Sequence, residues 1–392
     1  MPKGSGVAES PLLGKTKSLL RDLVGFDTTS RNSNLPLIEH VADYLSDQGA
    51  STRLIPSADG TKANLVGTIG PDIPGGVVLS GHSDVVPVDG QNWSTDPFTL
   101  TEADGRLYGR GSADMKGFIA ATLAMAPCFA EMDLQRPIHF AFSYDEEVGC
   151  LGVGRLIDVV LSELPRPAAV IVGEPTGMQI ASAHKGICAM TTTVRGREAH
   201  SSRPQDGVNA IGAAASLVSY LYRLCDELAE TDRDVRFEPP FTTFNVGQIA
   251  GGDAINIIAR ECLLNWEFRP IPGTDPGAII ARVEAWVKDE LLPRMQATDP
   301  SCAVENICEF VVPPLDAPEG SVAETIARKA TGLNSTGTVA FVTEASLFAE
   351  SGVPAIVCGP GDIAQAHQPD EFIEIAQLDA CLGFLERIAQ PT

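Results

Sequence analysis

The chain has 392 residues, long enough for two or three domains with a sizeable core and in no need of disulfides to hold it. Its 28 basic residues against 51 acidic ones leave a formal charge of -23, which argues against nucleic acid and anionic membrane as partners. Nine cysteines without a C-x-x-C pair, and no run of about 18 apolar residues, predict a reducing compartment, no zinc finger or disulfide framework, and no membrane span. The first twenty residues carry no continuous apolar stretch of the kind a secretory leader needs, so the expectation is a soluble, cytoplasmic protein.

Apolar residues at helical spacing predict helices over residues 12–24 and 35–48, the second through Leu37, Val41, Tyr44 and Leu45. Residues 65–69 and 77–80 read as strands, and residues 99–109 as a hairpin turning at Asp104-Gly105. The alanine-rich run 117–130 is too apolar for an exposed helix and is expected to pack on a sheet. Strands follow over 138–144 and 168–172, each running into acidic residues. Such alternation predicts an α/β domain, a mostly parallel sheet with helices on both faces. Near residue 187 the pattern changes to strand 188–194, helix 208–224, strands 241–249 and 262–268, helix 278–292 and strand 302–311. That β-α-β-β-α-β order is ferredoxin-like. Helix and strand patterns like those of the opening domain resume at 323–331, 353–358 and 375–388. The expected organisation is therefore a discontinuous α/β domain, residues 1–186 and 312–392, with an α+β module inserted at 187–311.

The chemistry begins at Gly-His-Ser-Asp-Val-Val-Pro, residues 81–87, directly after a buried strand. His82 and Asp84 point to one side of an extended chain, so the carboxylate can hold the imidazole's tautomer while the other nitrogen faces a metal. Asp114, in Gly-Arg-Gly-Ser-Ala-Asp-Met-Lys-Gly at 109–117, stands at the entrance to the apolar helix, either as a helix cap or as a site carboxylate. Asp145, Glu146 and Glu147 crowd together after a strand, an expensive arrangement unless a cation or water relieves it; a solvated acidic loop is the plain alternative. Glu174 follows another buried strand, and His367 lies in a turn-rich loop, Ala-His-Gln-Pro-Asp-Glu at 366–371. Two histidines, an aspartate and two glutamates at strand ends form a nitrogen and oxygen donor set suited to zinc, cobalt or manganese, and one carboxylate can bridge two such ions. The chemistry of such a pair is hydrolysis. No Gly-x-Ser-x-Gly elbow occurs, and the dinucleotide-like string at 359–364 lies near the C-terminus instead of in a first βα turn.

Taken in order, these motifs, with Gly-Glu-Pro-Thr at 173–176 and Gly-Arg-Glu-Ala-His-Ser-Ser at 196–202, resemble the M20 metallopeptidase and amino-acylase family over essentially the whole chain. The resemblance implies a di-zinc aminopeptidase-like catalytic domain with an inserted lid and dimerisation domain. It implies two divalent ions, Zn2+ or Co2+, with His82 and Glu174 on one, Glu147 and His367 on the other, and Asp114 on both. Glu146 would then be the general base, Asp84 would orient His82, and the peptide bond after Asp114 would be cis. The family also forms homodimers through the lid, in which His200 would reach the partner subunit's active site and stabilise the oxyanion.

The segment His184-Lys185-Gly186 resembles the acetylornithine deacetylases of that family, whereas succinyl-diaminopimelate desuccinylases typically carry two arginines before the glycine. This implies a small N-acyl amino acid as substrate, N2-acetyl-L-ornithine, cleaved to L-ornithine and acetate in arginine biosynthesis. His184, Lys185, Asn256 and Arg269 are expected at the substrate, the last two at its α-carboxylate, where a guanidinium can bind bidentately. An ordinary strand-end arginine is the alternative for Arg269. Where acetylornithine deacetylases often carry Thr-Asp-Ala, this chain reads Thr343-Glu344-Ala345, and the longer carboxylate is expected to bear on which side-chain amine is preferred. The competing readings are another N-acyl-amino-acid amidohydrolase, a desuccinylase, a carboxypeptidase or dipeptidase of the family, and a non-catalytic binding protein with the same fold.

Overall fold

The computed structural model describes residues 10–390, so the leader reading of the first twenty residues falls partly outside the described ones. The chain begins with α1 (Pro11–Val24), α2 (Leu35–Asp47), β1 (Ser51–Pro56), β2 (Ala63–Ile69) and β3 (Val77–His82). A hairpin, β4 (Thr101–Ala103) and β5 (Arg106–Tyr108), turns at Asp104 and Gly105, both at positive φ as a tight primed turn requires. Then come α3 (Lys116–Glu131), β6 (Ile138–Ser143), α4 (Val153–Glu163), β7 (Ala169–Pro175) and β8 (Ala181–His184). The next stretch holds β9 (Ile187–Arg195), α5 (Ala210–Thr231), β10 (Thr243–Gly251), β11 (Glu261–Arg269), α6 (Pro276–Trp286), α7 (Leu292–Gln296) and β12 (Ala303–Val312). The chain ends with β13 (Leu315–Asp316), α8 (Val322–Thr331), β14 (Gly337–Val339), α9 (Ala345–Glu350), β15 (Ala355–Gly359), β16 (Phe372–Glu374) and α10 (Ile375–Ala389). None of the described helices is long and apolar enough to cross a membrane.

Contacts divide the chain into two compact units. The first takes in the chain up to Ala183, Asp316–Thr338 and everything from Thr343; the second is His184–Leu315 with Val339–Val342. The first is built on a mixed sheet in the order β1-β2-β6-β3-β7-β15-β8. Its centre is parallel: β3 pairs with β6 from Val77↔Ile138 to His82↔Ser143 and with β7 from Val77↔Ala169, and β15 lies parallel to β7. The flanks are antiparallel, through β1 with β2, β2 with β6, and β15 with β8. The sheet is thus less parallel than the sequence suggested, because β1 and β2 are joined by a short turn that only antiparallel neighbours can use. β3, β6 and β7 are buried along their whole length, as strands covered on both faces must be. α3 is apolar nearly all round and packs on α1 and α10 as well as the sheet.

The second unit is a four-stranded antiparallel sheet, β10-β11-β9-β12, with its own core of Cys188, Leu217, Leu264, Phe268 and Val283 among others. α5 starts at Asn209, whose side chain accepts from the amides of Ile211 and Gly212, and runs past the expected end at 224 because Leu228 continues the Leu217-Leu221-Leu224 stripe. The helix expected over 278–292 instead spans α6, one wide π-turn at Val287–Leu291, and α7.

The layers meet tightly at Gly173 on β7, where a Cβ would stand 2.0–2.3 Å from three ring atoms of Phe118 on α3. Gly173→Ala should therefore lower stability by about 3 kcal/mol, read as a lower urea midpoint at unchanged m. An unshifted midpoint would mean that the Phe118 ring can move aside.

Candidate active site

Three parallel strands deliver the site. β3 ends at His82, β6 runs out into Glu146 and Glu147, and Glu174 is the next-to-last residue of β7. Asp114 comes from the loop before α3 and His367 from the loop after β15. Side chains from residue 82 to residue 367 thereby converge at the carboxyl edge of one sheet, where open α/β sheets keep their ligands.

Asp114 is the centre of the group. Its Oδ1 lies 3.0 Å from His82 Nε2 and its Oδ2 lies 3.4 Å from His367 Nε2, so each carboxylate oxygen faces a different imidazole. On the His82 side, Glu174 Oε1 stands 3.5 Å from the same Nε2; on the other side, Glu147 Oε2 is 3.0 Å from His367 Nε2. One donor atom each from His82, Asp114 and Glu147 falls within 4.8 Å of the others, and the same holds for His82, Glu146 and Glu174. The helix-cap reading of Asp114 is not what is found, since α3 begins at Lys116 without any side-chain cap. The Asp114–Met115 peptide bond is cis.

Electrostatics follow from this crowding. Burial, and then the charges of Glu147, Asp114 and Asp84, push the Glu146 carboxyl well above the usual range despite the pull of His82. Burial and the charge of Asp114 do the same to Glu174, and carry Glu147 to about 7. Burial opposes charge on His82, but its hydrogen bonds to Asp114 and Asp84 and the charges of Glu174 and Glu146 outweigh it and hold the imidazole well above its ordinary value. Hydrogen bonds to Asp114 and Glu147 raise His367 to about 10. Burial works against Asp114 as an anion, yet hydrogen bonds from the two histidines hold its carboxyl below the ordinary range. Such a set is stabilised by positive charge placed between its members, which two protonated imidazoles supply in part and divalent cations supply in full. The donors are imidazole and carboxylate without thiolate, and a shared carboxylate faces both halves; the residues fit a pair of divalent cations.

A ring of supporting groups fixes the donors. His82 Nδ1 lies 2.9 Å from the backbone carbonyl of Asp84 and 3.6 Å from its carboxylate. That carboxylate is engaged elsewhere: Oδ2 accepts from Ser30 Oγ at 2.7 Å and from the Glu147 amide at 3.3 Å, while Oδ1 accepts from the Glu146 amide at 3.1 Å. Asp84 thus positions the glutamate loop as much as the histidine. Asp145, at φ 57°, is held by an ion pair with Lys62. Glu371 accepts from the amides of Gly111, Ala113 and Asp114 at 2.9–3.1 Å and from Arg110 Nη1 at 2.8 Å, clamping the Asp114 loop. Glu344 is bound by the strands that carry the site. Its carboxylate is buried, accepts from Ser80 Oγ at 2.6 Å and Ser143 Oγ at 2.8 Å, and lies beneath the site between β3 and β6. Lys62, Ser30, Arg110 and Glu371 were not singled out from the sequence; the last two lie inside motifs that were, but Lys62 and Ser30 have no local signal.

The other residues expected in the site belong to the second unit. His200 is exposed, with Nδ1 2.8 Å from Ser202 Oγ, and the Ser201 amide donates to the Asn256 carbonyl. Arg269 is half-buried and pairs with Glu267 at 2.9 Å. His184 and Lys185 are buried; His184 Nδ1 lies 2.8 Å from the Lys185 carbonyl, and Lys185 Nζ donates to the Phe241 carbonyl at 2.8 Å. Burial and the nearby Arg269 charge lower the Lys185 pKa.

Nitrogen and oxygen donors gathered for cations at the carboxyl edge of a parallel sheet, beside a carboxylate of raised proton affinity, define a hydrolase centre. The chain belongs to peptidase family M20/M25/M40, whose profile matches residues 78–390. It is 38% identical to an acetylornithine deacetylase of Myxococcus xanthus over 96% of this chain and 97% of the relative. A second acetylornithine deacetylase, from Pasteurella multocida, is 34% identical over 91% of each chain. Among solved structures, an M20 family metallo-carboxypeptidase from Sulfolobus solfataricus superposes with a TM-score of 0.77 at 18% identity, covering 96% of this chain and 98% of that one.

The Glu371 clamp yields a stability prediction. Glu371→Gln leaves the buried Arg110 guanidinium without its counter-charge and turns an amide N–H₂ towards backbone donors, so the variant should lose about 3–5 kcal/mol in urea unfolding. Wild-type stability would show that the clamp's charge is not what holds the Asp114 loop.

Proposed function

We propose that this protein hydrolyses the amide of N2-acetyl-L-ornithine to L-ornithine and acetate, a step of arginine biosynthesis. The observation that carries the reaction class is Asp114 shared between two imidazole–carboxylate pairs with Glu146 beside them. Support for the substrate is the 38% identity to an acetylornithine deacetylase over nearly the full length of both chains. His82, Glu174 and one Asp114 oxygen would hold one divalent ion, Glu147, His367 and the other oxygen a second, with Zn2+ or Co2+ best suited to these donors. Bound there, the ions supply Lewis acidity, which polarises a carbonyl and acidifies water.

The remaining work falls to side chains. Glu146, whose proton affinity burial raises, takes the proton of the attacking water and returns it to the leaving amine nitrogen. Asp84 keeps the Glu146 amide in place. His200, exposed on the second unit, would donate to the developing oxyanion from the partner subunit of a homodimer formed through that unit, the kind of interaction that contributes most in acyl transfer. Arg269, with Asn256, would hold the substrate's α-carboxylate, and the neighbouring Lys185 adds positive charge; Lys185 and His184 act from buried positions.

Two measurements test this. Metal-stripped protein should take up two Zn2+ or Co2+ per chain, and Glu174→Ala or His367→Ala only one; equal uptake by all three would sink the ligand assignment. In the metal-loaded enzyme, kcat/KM should be highest for N2-acetylornithine among N-acetyl amino acids, N-succinyl-diaminopimelate and dipeptides. Glu146→Gln should cut kcat about 10²–10⁴-fold with little change in KM. Metal-dependent turnover favouring another substrate would overturn the specificity alone, whereas undiminished kcat in Glu146→Gln would overturn the mechanism.

A further inference from the structure

Away from the carboxylate cluster, the second unit holds a pair of thiols in contact. Cys188 on β9 and Cys308 on β12 have their Sγ atoms 3.8 Å apart, and Met190 Sδ lies 3.7 Å from Cys188 Sγ. The arrangement follows from the register of the strand ladder. Cys308 pairs with Met190 and Val311 with Cys188, because β12 carries a bulge between Cys308 and Phe310. Met190 and Cys188 are two residues apart on β9, so Cys188 and Cys308 project from the same face as diagonal neighbours. β12 is an edge strand, free on one side to make the further approach that a bond of about 2.05 Å needs.

The two thiols differ in access. Cys308 is exposed, whereas Cys188 is fully buried. We propose that Cys308 and Cys188 form a thiol–disulfide exchange site, in which exposed Cys308 reacts with a low-molecular-weight disulfide and buried Cys188 resolves the adduct into an intrachain disulfide. In the first step the Cys308 thiolate attacks one sulfur of RS–SR; the Cys308–SR bond forms and RS⁻ leaves. In the second, Cys188 gives its proton to solvent and attacks Cys308 Sγ, and the second RS⁻ leaves. Two protein thiols are oxidised and one RS–SR is reduced to two RSH.

Burial, with a smaller contribution from Cys308, pushes the Cys188 thiol well above its ordinary value. Only the thiolate attacks, so the resolving step is the slow one and quickens as pH rises. The closed bond would join residues 120 apart, the first strand of the second unit to its last, and enclose almost all of that unit. Cross-links around long loops stabilise mainly by restricting the unfolded chain.

The test uses full-length, metal-loaded protein with glutathione disulfide at several pH values, followed by intact mass and peptide mapping. Wild type should gain one glutathionyl group at Cys308, then lose it to give a Cys188–Cys308 link, two hydrogens lighter than the starting chain, faster at pH 9 than at pH 7. Cys188→Ser should stop at the adduct, Cys308→Ser should form neither, and dithiothreitol should reverse both reactions. The linked form should melt higher than the reduced one by roughly 4 °C or more. If Cys188→Ser fails to fold, Cys188→Ala takes its place, and the wild-type map is decisive alone. An adduct that never resolves up to pH 9, or a link joining any other cysteine, overturns the proposal.

Discussion

Repulsion among buried carboxylates is the constraint to which the rest of the catalytic unit answers. Asp114, Glu146, Glu147 and Glu174 converge where little water reaches, and all but Asp114 are pushed towards protonation. Three further buried carboxylates, on Asp84, Glu344 and Glu371, surround them; burial raises the last two as well, but each of the three has donors of its own. Asp84 accepts from a hydroxyl and two amides, Glu344 from two hydroxyls, and Glu371 from three amides and a guanidinium. Donor count thus separates the two groups. Carboxylates with their own N–H and O–H donors hold the scaffold, while those facing mainly one another and two imidazoles are set aside for cations.

The scaffold meets this constraint by gathering strand ends. A parallel centre aims the C-termini of β3, β6 and β7 the same way, and β15 adds the strand before the His367 loop. Full burial of those strands leaves their ends as the places where polar chemistry can begin. Close layers are the other requirement: at Gly173 even a methyl group would meet the Phe118 ring, one residue before Glu174. The position of that glutamate is therefore tied to how tightly α3 lies on the sheet.

Much of this was legible in the sequence, because its signals are local. The buried strands are short β-branched runs, α3 is an alanine-rich apolar run, and the donors follow directly in motifs of fixed spacing. β1 escaped notice because Ile55 alone among its residues is buried, so neither alternation nor a continuous apolar run marks it. α4 escaped despite carrying Val153, Leu156, Ile157 and Val160 at helical spacing, a signal overshadowed by the acidic cluster just before it. The supporting groups were illegible for another reason. Lys62 meets Asp145 across 83 residues, and Ser80 and Ser143 meet Glu344 across 264 and 201. No spacing rule reaches that far. The same distance hid the partners of Glu344, which was read only as a departure from a family motif.

The loop from His367 to Glu371 supplies one imidazole to the cluster and, four residues on, clamps the backbone that carries Asp114. Asp114 is synthesised in the first third of the chain, yet the carboxylate that accepts from the Gly111, Ala113 and Asp114 amides comes only in the last tenth. The cluster is complete only once the C-terminal segment docks. Any truncation from His367 onward takes away an imidazole of the cluster and the clamp together, so proteolytic trimming that reaches this loop removes both as a single event.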